Sequence, residues 1–401
     1  MDPFRYLPKV IYPLQKTTES QLLQLCQELW SWPSCENCHN TGNCETNNCP
    51  WKRSTQLMRF FKYYKDLCAS YHSDSATDKK AALQSHDNLF GAIRKLKSDP
   101  HISRAELKHR LFGNRPDEQQ ASVLDQDRAI NLALKVIFMV NCGAQSPELD
   151  ILEQGAYHVR WKDDISFKQY VTDIFPTTDY PIINDDNEGP LLDLKTALTA
   201  IKLTKHAGLK FQPTDDLRRH LRLDRKNGIV EIFHHTAFLK EYLRLTIGKS
   251  HNRPSADYLE LGMLPRQLAL ECLDSLQKVI FPATCHKSLN LLISLTTNSS
   301  FDPNCLEFNS IEIRTPDERN ISYRYFGTRL IELYSELENP TPRGRLEKWL
   351  QRRSGARYAM LATVIGVAIA VLLGMASLAV GVYQAWIAYQ QWQHPLGSEK
   401  C

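Results

Sequence analysis

The sequence predicts a mainly α-helical protein with two small β-hairpins, organised as a cytosolic helical domain followed by one C-terminal transmembrane helix. Three observations lead to this fold class: apolar residues recur at helical spacing in several segments, two short alternating runs are joined by Asn227-Gly228, and residues 359–382 carry no charge. The net charge of only +4 over 401 residues argues against a nucleic-acid partner.

The uncharged C-terminal segment AMLATVIGVAIAVLLGMASLAVGV predicts a helix that crosses a membrane. As a helix it would rise about 36 Å, which exceeds a hydrocarbon core of about 30 Å. A soluble helix is rarely apolar on every face over such a length. We therefore assign 341–357 to a basic juxtamembrane helix, 358–383 to a transmembrane helix and 384–401 to a short interfacial tail.

The charges that flank this helix predict its orientation. The segment before it is strongly basic and the segment after it is almost uncharged, so the positive-inside rule places the N-terminal part in the cytosol. A tail this short predicts tail-anchored insertion, and the strongly apolar helix favours a membrane of the secretory system. We expect the basic residues also to contact anionic lipid. They are Arg343, Arg345, Lys348, Arg352, Arg353 and Arg357.

Small residues recur along the apolar helix in steps of three and four, which places them on one face. Small side chains let two helix backbones approach closely, so this face predicts a homodimer or pairing with another membrane helix. The alternative is an ordinary anchor whose small residues only reflect composition. The predicted packing face consists of Gly366, Ala370, Gly374, Ser377 and Gly381.

The remainder of the chain reads as two helical regions. Residues 1–112 predict an N-terminal module with a Cys-rich loop at 34–51, and residues 113–340 predict the main domain with hairpins near 220–233 and 309–326. Capping boxes at Thr18-x-x-Gln21 and Ser103-x-x-Glu106 mark helix starts. The run DQDRAINLALKVIFMVNCG predicts a long buried helix that ends at Gly143.

The Cys-rich loop has the spacing C-x2-C-x5-C-x4-C. Four thiolates on tight turns can form the tetrahedral site that a structural Zn²⁺ requires, and a zinc ion would join the two flanking helices. The spacing fits common zinc motifs imperfectly, so reduced thiols without a metal, or a redox or disulfide role, stay open. The predicted ligands are Cys35, Cys38, Cys44 and Cys49, with His39 as an alternative ligand.

The pair His234-His235 opens a predicted helix directly after the first hairpin. Histidine can serve as a general base or a metal ligand. The sequence shows no nucleophile or acid at a recognisable spacing, so the simpler interpretation is that the pair starts the helix. A catalytic role requires a carboxylate or a cysteine within hydrogen-bond reach in the folded protein.

Several runs resemble a large multigene family of uncharacterised single-span membrane proteins from filamentous fungi. They include DRAINLALKVIFMVNC, FHHTAFLKEYLRL and LPRQLALECLDSLQKVIFP, and most specifically ENPTPRGRLEKWLQRRSGARYAMLATVIGVAIAVLLG followed by YQAWIAYQQWQHP. The resemblance covers nearly the whole chain, including an N-terminal cysteine cluster. It implies the same organisation and carries no assigned activity.

These observations favour a membrane-anchored, cytosol-facing scaffold or interaction module that lacks catalytic activity and binds a protein partner. Besides the structural zinc, no cofactor is expected. One alternative is an enzyme of unrecognised type that uses His234 or His235. A second alternative is a zinc-containing regulatory or nucleic-acid-binding module, because helices followed by a hairpin are similar to a winged helix.

Overall fold

The chain divides into two compact units, Met1–Pro340 and Thr341–Cys401. The computed structural model describes residues 12–33, 35, 49–72, 81–113, 121–141, 161–178, 197–247, 264–298, 301–318, 321–343 and 357–393.

The first unit is mainly helical, as the sequence predicts. Its helices within the described residues are α1 (Glu19–Trp30), α2 (Met58–Ser70), α3 (His86–Ser98), α4 (Arg104–Phe112), α5 (Val123–Phe138), α6 (Phe167–Ile174), α7 (Ala200–Ala207), α8 (Thr236–Thr246), α9 (Arg266–Asp274), α10 (His286–Asn298) and α11 (Gly327–Glu338). A π-helical turn, Ser275–Ile280, extends α9, and short 3₁₀ helices cover Pro50–Leu57, Leu217–Arg219, Pro303–Leu306, Ser310–Ile313 and Pro316–Glu318.

Two helix starts that the sequence predicts are confirmed. The Thr18 hydroxyl accepts the N–H of Gln21 at 3.3 Å, and Gln21 Oε1 accepts the N–H of Thr18 at 2.8 Å, which completes the capping box of α1. Ser103 Oγ accepts the N–H of Glu106 at 3.2 Å at the start of α4. These side chains satisfy backbone donors that have no partner inside the helix.

The end of α5 differs from the prediction, which placed it at Gly143. The helix ends at Phe138, because Met139 adopts a left-handed conformation with φ 51°. The N–H of Met139 still bonds the carbonyl of Lys135 at 2.9 Å, while its own carbonyl accepts the N–H of Leu217 at 2.9 Å. A contact with a distant segment thus ends the helix five residues before the glycine, which lies outside the described residues.

The first predicted hairpin is confirmed, and it belongs to a larger sheet. Strands β2 (Arg222–Asp224) and β3 (Ile229–Phe233) pair antiparallel through the Asn227-Gly228 turn. Strand β1 (Lys210–Thr214) pairs with β3 in parallel, which gives the order β1-β3-β2. The prediction missed β1, an edge strand that contains a proline.

The second predicted hairpin, near 309–326, is wrong within its described residues. This segment forms the 3₁₀ helices Ser310–Ile313 and Pro316–Glu318 and then runs irregularly into α11. The buried carboxylate of Glu271 accepts three consecutive N–H groups of residues 324–326, at 2.7, 2.8 and 3.0 Å. A side chain on α9 therefore takes the donors that a hairpin ladder would have used.

One continuous apolar core runs through the first unit, from Leu14 to Leu333. At its centre the ring of Trp30 lies 5.4 Å from that of Phe60 and 5.8 Å from that of Phe238, between ring centroids. Aromatic side chains of the N-terminal region thus pack directly on α8. The two regions on either side of residue 112 share this core. Their division into an N-terminal module and a main domain stays a prediction.

We expect Gly228→Ala to lower the free energy of unfolding by about 1 kcal/mol, because Gly228 has φ 68°, a conformation that disfavours a Cβ. Gly91→Ala is the matched control. Gly91 lies inside α3, and a Cβ built there meets nothing within 4 Å, so this change should stabilise the fold by about 0.5–1 kcal/mol. Urea denaturation measures the change in the free energy of unfolding for both variants. Changes of the same sign would contradict a strained conformation at Gly228.

The second unit contains one long helix, α12 (Arg357–Gln393), of 37 residues. Its stretch Thr363–Gln393 contains 18 consecutive residues with a mean hydropathy of 2.5 and has no buried residue, and it is long and apolar enough to cross a membrane. The helix continues beyond the predicted span, which ended at residue 383. The aromatic side chains at the end of the predicted span and in this extension are exposed; they are Tyr383, Trp386, Tyr389 and Trp392.

Candidate functional site

The carboxyl ends of the two parallel strands bring together three side chains that can exchange protons. Asp215 directly follows β1, and His234 and His235 directly follow β3. Parallel strands end at the same sheet edge, which is a common position for functional groups. We call Asp215, His234 and His235 the Asp–His triad.

Hydrogen bonds fix the protonation of His234 in this triad. Its Nδ1 accepts the backbone N–H of Asp302 at 3.0 Å, so that nitrogen carries no proton. The proton of the neutral imidazole therefore lies on Nε2, which faces Asp215 Oδ1 at 3.2 Å. Both nitrogens of His234 are thus engaged, and the ring donates to the carboxylate.

His235 donates to the same oxygen but differs at its other nitrogen. Its Nε2 lies 2.7 Å from Asp215 Oδ1, while its buried Nδ1 has no hydrogen-bond partner among the described residues. Burial lowers the pKa of His235 to about 4, against the opposing effect of the hydrogen bond to Asp215. His235 is therefore neutral at pH 7.

Asp215 is the exposed member of the triad. Partial burial alone would raise the pKa of its carboxyl group, but the hydrogen bonds from His234 and His235 outweigh this effect and hold the pKa far below its usual range. The carboxylate stays ionised and holds both imidazoles as Nε2–H donors. An anion this weakly basic is a poor general base and a good electrostatic partner.

A cavity of about 380 Å³ opens beside the triad, between the sheet edge and α2. Arg59, Lys62 and Asp66 from α2 line it together with the triad. A neighbouring cavity of about 510 Å³ shares Arg59 and Lys62 and extends toward Asp302. The triad therefore faces an accessible space whose opposite wall carries two cations.

The donor set of the triad could in principle hold a metal ion, since its ligand atoms lie within 4.8 Å of one another. Ligands about 2.0–2.1 Å from a tetrahedral Zn²⁺ are about 3.3 Å apart, close to the distances seen here. However, a metal on His234 Nε2 would force its proton onto Nδ1, which already accepts an N–H. Arg59 and Lys62 would also repel a cation. The triad fits a hydrogen-bonded cluster and does not fit a metal centre.

The Cys-rich loop is held at both ends by a buried carboxylate on α8. Trp32 Nε1 donates to Glu241 Oε2 at 3.0 Å, and Arg53 donates from Nε and Nη2 at 2.8 and 3.0 Å to the two carboxylate oxygens. The guanidinium of Arg53 also lies 5.4 Å from the centroid of the Trp32 ring. We call Trp32, Arg53 and Glu241 the Glu241 clamp. It fixes the chain on either side of the loop.

The structure brings together the first and last predicted zinc ligands. Cys35 and Cys49 pack in one small apolar cluster with Leu23 and Trp51. Cys38, Cys44 and His39 lie outside the described residues, so the zinc site stays a prediction.

The sites predicted at the C-terminus are described in part. Arg343 and the backbone of Arg357 belong to the described residues, whereas Arg345, Lys348, Arg352 and Arg353 do not. The residues of the predicted packing face are exposed on α12, and a Cβ added at any of the three glycines among them would meet nothing within 4 Å. This face comprises Gly366, Ala370, Gly374, Ser377 and Gly381.

Sequence reasoning singled out His234 and His235 but missed their carboxylate, Asp215. The usable signal was an acidic residue directly after a strand-like run, KFQPT, although Pro213 argued against a strand there. The cations of α2 could not be found from sequence, because nothing local links residues 59–62 to residues 234–235.

Comparisons with family models, with curated proteins and with solved structures found no match to this chain. Its own architecture therefore defines its class. It is a mostly helical protein with a small three-stranded mixed sheet and one apolar C-terminal helix that is long enough to cross a membrane.

Proposed function

We propose that this protein is a membrane-anchored, cytosol-facing interaction module that lacks catalytic activity and binds a protein partner. The observation that carries the proposal is the apolar stretch Thr363–Gln393, which follows the compact helical unit and has no buried residue. An apolar surface of this length requires an apolar environment, and a bilayer provides one. The anchor is inserted as a tail, in a membrane of the secretory system.

The full-length protein is expected to stay in the membrane fraction after alkaline carbonate extraction. The double substitution Val371→Arg/Leu372→Arg should release it, because an arginine at the centre of a membrane helix costs about 2.5–3.5 kcal/mol of insertion free energy. The swap Val371→Leu/Leu372→Val is the matched control and should stay in the membrane. Release of the unmodified chain would contradict the anchor.

The orientation has natural reporters in the sequons at Asn298 and Asn320. Glycan transfer occurs only in the lumen, so insertion into microsomes should leave both sequons unmodified. A C-terminal extension that carries an acceptor sequon should be glycosylated. The reverse pattern would place the helical unit in the lumen and contradict the cytosolic orientation.

Self-association through the small-residue face of α12 is part of the same proposal. The exposed positions of Gly366, Gly374 and Gly381 support it, since no side chain of the described residues covers them. The basic segment before the helix would contact anionic lipid on the cytosolic side. The resemblance to single-span fungal membrane proteins agrees with this organisation.

An enzyme of unrecognised type is the second candidate function. A catalytic role requires a carboxylate or a cysteine near the histidines, and Asp215 lies within hydrogen-bond reach of His234 and His235. The Asp–His triad, however, leaves no imidazole nitrogen free to act on a substrate. Both nitrogens of His234 are engaged, and the remaining nitrogen of His235 is buried. The interaction module therefore ranks first.

A zinc-containing regulatory or nucleic-acid-binding module is the third candidate. The fold of the described segment 208–246 argues against the predicted similarity to a winged helix. Only the 3₁₀ helix Leu217–Arg219 lies between β1 and β2, and three residues cannot form a recognition helix.

A further inference from the structure

The sheet edge opposite the Asp–His triad carries a cluster of exposed basic side chains. Lys205 and His206 belong to the last turn of α7, Lys210 begins β1, and Arg225 and Lys226 occupy the β2–β3 turn. All of them are exposed. We call these five residues the basic edge.

Backbone hydrogen bonds bring the three segments of the basic edge together. The N–H of Lys210 bonds the carbonyl of Gly228 at 2.8 Å, which joins the start of β1 to the turn. The N–H of Leu209 bonds the carbonyl of Leu203 at 3.2 Å, which folds the end of α7 back beside β1. The basic edge is thus one continuous surface, although its residues are spread over 22 positions of the sequence, from 205 to 226.

The segments 205–210 and 222–228, which carry the basic edge, contain one acidic residue, Asp224. Asp224, in the same turn, accepts the N–H and the side-chain amide of Asn227 at 3.0 and 2.7 Å. Glu231, further along β3, pairs with Arg219 at 2.8 Å. These two segments therefore carry more positive than negative charge, although the whole chain is nearly neutral.

We propose that the basic edge binds anionic lipid headgroups on the cytosolic surface of the membrane. The inference rests on the proposed membrane anchor, which keeps the helical unit at a high effective concentration near the bilayer. A charged bilayer complements several lysines at once. The basic edge would be a second lipid contact, separate from the basic segment that precedes α12.

The test uses the full-length protein inserted into nanodiscs of phosphatidylcholine alone or with phosphatidylserine added. A water-soluble amine-acylating reagent labels exposed lysines, and mass spectrometry measures the rate at each one. We expect labelling of Lys205, Lys210 and Lys226 to slow roughly fivefold with phosphatidylserine, the factor that corresponds to about 1 kcal/mol for a lysine near the surface. Lys62, on α2 beside the Asp–His triad, is the internal control and should keep its labelling rate.

A matched pair of variants separates surface charge from fold. Lys205→Glu/Lys226→Glu should abolish the protection at Lys210, while Lys62→Glu/Lys65→Glu should leave it intact. Equal labelling in both kinds of nanodisc would overturn the proposal, and so would protection by added RNA without any by phosphatidylserine. Recovery of the protein in the nanodisc fraction reports on the anchor separately, so failure of the anchor and failure of the basic edge are distinguishable.

Discussion

Replacing Glu241 with glutamine is expected to lower the free energy of unfolding by about 3 kcal/mol, at the lower end of the cost of breaking a buried ion pair. The lower end applies because Arg53 is 33% exposed, whereas Glu241 is only 3% exposed. Glutamine keeps the shape of the side chain but removes its charge and one of its acceptors. Trp32, Arg53 and Arg244 then compete for a single weaker oxygen. Urea denaturation of the full-length protein in detergent, monitored by tryptophan fluorescence, measures the change in the free energy of unfolding.

Glu28→Gln is the matched control for the Glu241 clamp. Glu28 also forms an ion pair, to Arg94 at 3.1 Å, but the arginine is 60% exposed. Exposed pairs contribute little, so this variant should stay within about 0.5 kcal/mol of the unmodified protein. If the two variants unfold at the same urea concentration, the clamp does not hold the ends of the Cys-rich loop.

On acidification from pH 7 to pH 4.5, two buried histidines, His220 and His235, are together expected to destabilise the protein by roughly 5 kcal/mol. Burial lowers the pKa of His220 to about 3 and that of His235 to about 4, from an ordinary value of 6.5. Between those values and 6.5 the unfolded chain binds protons that the folded chain does not, so stability falls as the pH falls. Urea midpoints measured across this range give the slope.

The pH effect of Asp215 has the same sign as that of the two histidines but falls in a more acidic pH window. Its pKa in the folded protein lies below the ordinary value of 3.8, so its stabilising effect is present above that pH and is lost only in stronger acid. His235→Asn should reduce the slope between pH 6.5 and pH 4.5 by about one proton. Constant stability down to pH 4.5 would contradict the neutral state of His220 and His235.

His220 shows how a buried histidine is held neutral. Its Nδ1 accepts the N–H of Phe233 at 3.2 Å, and its Nε2 lies 2.8 Å from Ser275 Oγ, which donates to the carbonyl of Cys272 at 3.0 Å. A second proton on the ring would break the first of these bonds. Through these two bonds His220 links the end of β3 to the π-helical turn that extends α9.

Local patterns were sufficient for the helices and for one turn. The Thr18 and Ser103 caps and the Asn227-Gly228 turn act over a few residues, and each lies where the sequence predicts it. The features that depend on contacts between distant segments differ from the prediction. Met139 ends α5 before Gly143 because its carbonyl meets Leu217, and Glu271 binds the backbone donors of residues 324–326, which the sequence assigned to a hairpin.

The sequence by itself determined the helical character of the chain, the apolar helix at its C-terminus and the two histidines after β3. Each of these follows from spacing, composition or neighbours within about one helical turn. Only the tertiary structure decided that Asp215 joins His234 and His235, that Glu241 holds both ends of the Cys-rich loop, and that the basic edge forms one surface. The physical reason is that these contacts join residues far apart in the chain, and their partners are selected by packing and parallel strand pairing, which no local pattern encodes.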